Sequence, residues 1–244
     1  MRKNIKNAVF ILLLLTLIAS TALLTYLHFF ASDDRDLSGE WTANLDVTQQ
    51  AAFTALSWLQ DIEAVSISLE DMESYMQGLT IQVNLTFEQT ARDEGIFQCY
   101  VSPESYDACN QAAYEAFAVA FQDLLAERLR MAGYTDSADK EAIEALVTES
   151  FGMSTVSYLM SCGPALLPSL EDLQTKYDGS GTYEASGDIL LRQFDVDGSV
   201  ILKSDYYIRK DSHLFLPEES SSVASDILKP FDPMIYTLKQ PLNQ

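Results

Sequence analysis

The sequence predicts an α+β fold: an antiparallel, barrel-like sheet of about eight or nine strands with an inserted helical block, preceded by one transmembrane helix. Three observations carry this. Residues 39–101 and 179–240 break into short runs that alternate apolar and polar side chains. Residues 103–178 switch to a helical period of 3.6. Ala8 to Ala31 is an unbroken apolar run without Asp, Glu, Lys or Arg.

The apolar run is 24 residues long, which at the helical rise covers roughly 36 Å, enough to cross a hydrocarbon core with some tilt. Only a helix satisfies its own backbone in lipid, so the run reads as a membrane span or a signal peptide. Arg2, Lys3 and Lys6 precede it, while Asp33, Asp34 and Asp36 follow it. The positive-inside rule then keeps residues 1–7 in the cytoplasm and sends the rest outward. Cleavage after Ser20-Thr21-Ala22 leaves an apolar new terminus, and no cysteine precedes Cys99 for lipidation. The expected arrangement is an uncleaved anchor over 8–31, a tether over 32–38 and an extracytoplasmic domain over 39–244.

Taken in order, Trp41, Ala43, Leu45 and Val47 alternate with Thr42, Asn44 and Asp46, a half-buried strand. Thr48 caps a helix from Gln49 to about Gln60, with Phe53, Leu56 and Leu59 as its stripe. Val65, Ile67 and Leu69 predict another strand, and Glu70 to Gly78 an acidic turn. Leu79, Ile81, Val83, Leu85 and Phe87 make the cleanest strand of the chain. It returns through Ala91–Gly95 as Ile96 to Val101, a hairpin with a longer loop.

From Pro103, Tyr114, Phe117, Phe121, Leu124, Leu125 and Leu129 form a helical stripe ended by Gly133. Further helices are predicted at Ser137–Ser150, closed by Gly152, then at Ser154–Cys162 and Ser169–Tyr177, split by Gly163-Pro164 and Pro168. Strands resume at Gly181–Ala185 and Ile189–Phe194 across a Ser186-Gly187-Asp188 turn. Asp195-Val196-Asp197-Gly198 is the next turn. Beyond it Val200, Leu202, Ser204, Tyr206 and Ile208 form one face. Leu214–Leu216, a short helix at Val223–Lys229 and a last strand at Met234–Lys239 complete the chain. Such a sheet closes or splits to remove its edges.

Charge excludes some partners. The chain carries −21, and its first 31 residues hold three bases and no acid, so the remainder carries −24. Nucleic acid is therefore no partner, and an anionic lipid surface is repelled. Three cysteines are too few for a disulfide scaffold. Cys99 and Cys109 flank a short closable segment and are the candidate disulfide; Cys162 reads as a small apolar side chain.

Gly39-Glu40-Trp41 on the first strand, the strand Leu85-Thr86-Phe87, the Gly181-Thr182-Tyr183 hairpin with Gly187-Asp188, and Ser204-Asp205-Tyr206 together resemble lipocalin-type (calycin) barrels. The pattern is closest to small lipocalin-like proteins anchored outside bacterial membranes, whose function is not known. The resemblance implies binding of a small apolar ligand or an envelope protein in or over a barrel, without catalysis and without a cofactor. It makes Gly39 and Trp41 fold-motif residues, with Trp41 packing the closed end. The helical insertion over 103–178 is the departure from that pattern.

Catalytic residue types are scarce. His213 is the sole histidine beyond the apolar run, there is no Gly-x-Ser-x-Gly, and the cysteines have no zinc-ligand spacing. No catalytic or metal residue is therefore assigned. Two alternatives stay open. A glycosidase-like envelope hydrolase needs two carboxylates about 5–9.5 Å apart, and no acidic residue lies on the apolar face of a predicted strand. A calcium-dependent structural domain would start at Asp195-x-Asp197-Gly198 and end near Asp205.

Overall fold

Strand parity and one single-residue joint define the architecture. The computed structural model describes residues 14, 16–24, 36–62, 67–134, 139–196, 199–216 and 234–239. Its strands are β1 (Gly39–Asp46), β2 (Thr80–Ala91), β3 (Glu94–Val101), β4 (Gly179–Ser186), β5 (Ile189–Val196), β6 (Ser199–Tyr206), β7 (Ile208–Lys210), β8 (His213–Leu216) and β9 (Met234–Leu238). They form one sheet in the order β6-β5-β4-β3-β2-β1-β9-β8-β7, with every pair antiparallel.

The two edges of that sheet, β6 and β7, are joined by Tyr207 alone. A flat sheet cannot place its first and last strands one residue apart, so the sheet curls into a nearly closed barrel. Inward parity runs through the joint without a break, since Asp205 and Tyr207 are buried on one side of it and Arg209 follows half-buried. Residues 199–210 thus act as one bent strand that pairs with β5 in its first part and with β8 in its second. The Tyr207 N–H donates to the Asp188 carbonyl at 2.9 Å, carrying the β5 side of the ladder into the bend.

All long connections leave the barrel at one end. Between β1 and β2 lie α1 (Thr48–Ile62) and α2 (Leu69–Tyr75). Between β3 and β4 lie α3 (Pro103–Met131), α4 (Lys140–Phe151), α5 (Thr155–Cys162) and α6 (Leu170–Tyr177). The opposite end has short turns at 92–93, 187–188 and 211–212. Trp41 lies toward this end, fully buried, and its Nε1–H donates to the Leu37 carbonyl at 2.8 Å. Gly39 sits at φ 135°, and a Cβ there would lie 2.6 Å from Leu238 Cδ1. Both the backbone and the neighbour therefore call for glycine.

Most of the helices join the barrel's core, while α4 packs on α3 through a second cluster of Ala126, Ile143 and Val147. Ala51, Ala52 and Ala55 bring α1 close, and Trp58 meets Phe117 of α3 edge to face at 5.7 Å between centroids. The α3 stripe serves its own domain: Phe117 is fully buried, and the Tyr114 hydroxyl donates to the Pro164 carbonyl at 2.8 Å. Ser102 caps α3, with Pro103 as its first residue. Gly152 ends α4 in the left-handed conformation (φ 72°).

Several expectations are corrected. Leu69 opens helix α2 rather than ending a strand, because Ser68 and Asp71 form a reciprocal capping box. The acidic stretch after it is mostly this helix. Thr48 is the first residue of α1, and Asp46 Oδ1 accepts its N–H at 2.9 Å. Phe53 is exposed, since the alanine face of α1 is the buried one. The β2–β3 hairpin turns through Arg92 and Asp93 alone, with Asp93 at φ 62°. Cys99 and Cys109 are separate free thiols. The segment between them is not a loop but the start of α3, which carries Cys109 into the helical layer. The Asp197-Gly198 turn and the Val223–Lys229 helix lie outside the described residues.

The expected span is described only at residues 14 and 16–24, which are helical and exposed, and the rest of it lies outside the described residues. Among the described residues no helix is long and apolar enough to cross a membrane.

Candidate functional site

The barrel interior is the candidate site, and register places each side chain in it. The Gly187-Asp188 turn sets Ser186 opposite Ile189 and Ala185 opposite Leu190. Ala185 is buried, so Leu190, Arg192 and Phe194 face inward, as do Ile201, Lys203 and Asp205 across from them. From the other side of the barrel come Leu85 and Phe87 of β2, Phe97 and Cys99 of β3, and Tyr236 of β9.

Rings line one part of this interior. Phe87 meets Tyr183 at 4.9 Å and Phe97 meets Phe194 at 5.0 Å, both edge to face. Glycine makes room for them: a Cβ on Gly181 would lie 1.8 Å from the Gln193 carbonyl, and one on Gly179 2.8 Å from the Phe194 ring. Charge occupies the adjoining part. Arg192 donates from Nε and Nη2 to Asp205 Oδ2 at 3.0 and 2.5 Å, and Lys203 Nζ stands 3.7 Å from Oδ1. The Asp205 side chain is 3 % exposed and that of Arg192 13 %. A carboxylate so buried needs its cationic partners. The guanidinium also lies over Phe194 and Phe97, 5.5 and 5.8 Å from their centroids.

Cys99 and Tyr236 face each other across the lumen, although β2 and β1 separate their strands. Burial pushes the Cys99 thiol up to about 11, against the opposing pull of Arg192. Burial likewise holds the Tyr236 phenol well above its usual range, with Cys99 adding to it. A thiol that stays protonated at neutral pH is no nucleophile. Tyr183 is raised to about 12, first by burial and then by Asp36 and Asp93.

The lumen is not sealed all round. On β1 to β3 Trp41, Ala43, Leu45, Ile81, Val83, Leu85, Phe87, Phe97, Cys99 and Val101 all point inward and are buried. On β6, Ile201 points inward yet is 51 % exposed, and the Lys203 side chain is 34 % exposed. That stretch of wall gives onto solvent at the helix-bearing end.

Asp205 is the one carboxylate on an inward strand position among the described residues, and it is spent on Arg192 and Lys203. A carboxylate pair is therefore not formed there. The same ion pairing removes Asp205 from the expected calcium loop, and no group of three His, Cys, Asp or Glu able to hold a metal occurs among the described residues. His213 is exposed on β8 beside Ser212. Gly39 and Trp41 lie toward the end opposite the helices, and Arg209 lies over the Trp41 ring at 5.8 Å and donates to the Asp36 carbonyl.

Arg192, Lys203 and Asp205 are functional candidates that alternation alone passes over. On β6 it selects Val200, Leu202, Tyr206 and Ile208 as the apolar face, and these do share a face, but that face points outward. The signal was in the turn: once Gly187-Asp188 closes a tight hairpin, Tyr183 lies opposite Arg192 and parity follows. Comparison with family models, curated proteins and solved structures returns no match for this chain.

Proposed function

We propose that the protein is a membrane-anchored, extracytoplasmic binding module of lipocalin-like type that holds a small, largely apolar ligand in its barrel. The observation that carries this is the unequal lining of the lumen. Rings and aliphatic side chains fill the β1–β4 side, while Ile201 and Lys203, inward-facing on β6, stay open to solvent above the buried Arg192–Asp205 pair. The open stretch at Ile201 and Lys203, beside an apolar interior, suits an amphiphile whose apolar part meets Ile201 and whose polar end meets Lys203. The anchor reading is supported by residues 16–24, a helical stretch whose Leu17, Ile18, Leu23 and Leu24 are all exposed. A largely apolar helix whose described side chains are all exposed suits a lipid environment, with Ser20 and Thr21 satisfied by the carbonyls of Thr16 and Leu17.

The test is a titration of the full chain, in detergent micelles, with the fluorescent fatty acid cis-parinaric acid. The expected result is saturable binding at one probe per chain, weakened about tenfold by Lys203→Glu, which is about 1.4 kcal/mol. Unsaturable uptake, or an affinity indifferent to Lys203, would remove the proposal.

A further inference from the structure

The outer wall of the barrel changes character around its circumference. On β1 to β4 the outward positions include Glu40, Asp46, Glu88, Glu94 and Glu184 among threonines and glutamines. On β6 to β9 they include Val200, Leu202, Tyr206, Ile208 and Ile235, each between 57 and 66 % exposed, joined by Phe215 between Ile208 and Ile235, with Ser204, Lys210, His213 and Thr237 as the uncharged or basic polar members. Ile189 of β5, opposite Tyr206, extends the row. Among the described residues no carboxylate occupies an outward position on β6 to β9, although the chain carries −21. An apolar band of this extent on an acidic protein marks a contact surface.

We infer that this band rests on the lipid bilayer, with the barrel lying on its side against the membrane. The inference depends on the anchor reading above. Two placements name lipid as the occupant. First, the apolar run ends at Ala31, and Asp36 is already held against the barrel by Arg209. Five chain steps span at most about 17 Å, so the bilayer surface lies within that reach of Arg209. Arg209 directly follows Ile208, one of the exposed residues of the band. Second, among the described residues no carboxylate stands at an outward position on β6 to β9, so this side is the one that phospholipid headgroups repel least. The band runs along β6 from Tyr206 to Val200, about 20 Å at the strand rise. A barrel standing on its end would keep only Ile208 and its row near lipid and leave Leu202 and Val200 in water. Tyr206 and Lys210 are side chains suited to the headgroup boundary.

The test uses the full chain reconstituted in phosphatidylcholine vesicles, with the photo-cross-linker p-benzoylphenylalanine installed in place of Leu202, Thr86 or Thr182, one at a time. The expected result is lipid adducts from position 202 at least tenfold above those from 86 and 182. Chain-to-chain adducts from position 202 would assign the band to a second copy and overturn the inference. Absence of lipid adducts from position 202, with the chain still held by the vesicles through an alkaline carbonate wash, would overturn the docking while leaving the anchor in place. Release of the chain in that wash would overturn the anchor reading, and the docking with it.

Discussion

The two halves of this barrel solve opposite problems. In β1 to β3 the inner face is hydrocarbon and ring, with Trp41, Ile81, Leu85 and Phe87 almost wholly buried, and the outer face is mainly polar. In β5 to β7 the inner face carries Arg192, Lys203, Asp205 and Arg209, and the outer face carries Val200, Leu202, Tyr206 and Ile208. The first half follows the rule for a sheet with one wet face. The second half inverts it. Burial of apolar surface holds the first half together, whereas the second adds a paired charge to its buried Leu190 and Tyr207 and leaves apolar side chains exposed on its outer wall.

The largest expected effect sharpens this contrast directly. Phe87→Ala removes a ring that is 1 % exposed and packs on both Phe97 and Tyr183. It is expected to cost about 3–5 kcal/mol in urea denaturation. Leu202→Ala, on the outer wall of the other half, is expected to stay within about 0.5 kcal/mol. A comparable loss from both would mean that the outer apolar wall is part of the core.

Next comes the buried ion pair. Arg192→Met leaves Asp205 with Lys203 as its remaining charge partner, at an expected cost of about 3 kcal/mol. Adding Asp205→Leu to that variant is expected to restore most of the loss, because no uncompensated carboxylate remains. Additive losses from the two changes would show that each side chain stabilises the barrel by packing and not through the pair.

A smaller effect concerns alkaline pH. Burial raises both the Cys99 and Cys109 thiols from an ordinary 9.0 to about 11. The folded thiols bind their protons more tightly than the unfolded ones. Their contribution is therefore complete below pH 9 and is lost as pH climbs towards 11, at about 1.4 kcal/mol per pH unit for each thiol. Cys99→Ala is expected to remove its share of that slope. Stability unchanged between pH 9 and 11 would contradict the burial of these thiols.

The same contrast explains what could be read from residues alone. The 79–87 strand was legible because its period-two pattern matches an inward apolar face. The α3 and α4 helices were legible from the apolar stripe, the proline start and the glycine stops. Residues 67–69 were not, because a local capping box outweighs three alternating apolar residues. Among the described residues the strands also number nine, for a different reason than expected: Leu69 belongs to a helix, and the bend at Tyr207 divides one strand into two. The site was least legible, since alternation reports which face is apolar and not which face is inside. On β6 those two questions have different answers.

Ile201 and Leu202 put the account to its most direct test, as adjacent residues on opposite faces of one strand. Parinaric acid affinity is to be measured for the full chain carrying Ile201→Arg or Leu202→Arg. The inverted wall predicts that the first change abolishes binding and the second leaves it within about twofold of the unaltered chain. Loss of binding with Leu202→Arg, and its survival with Ile201→Arg, would contradict it.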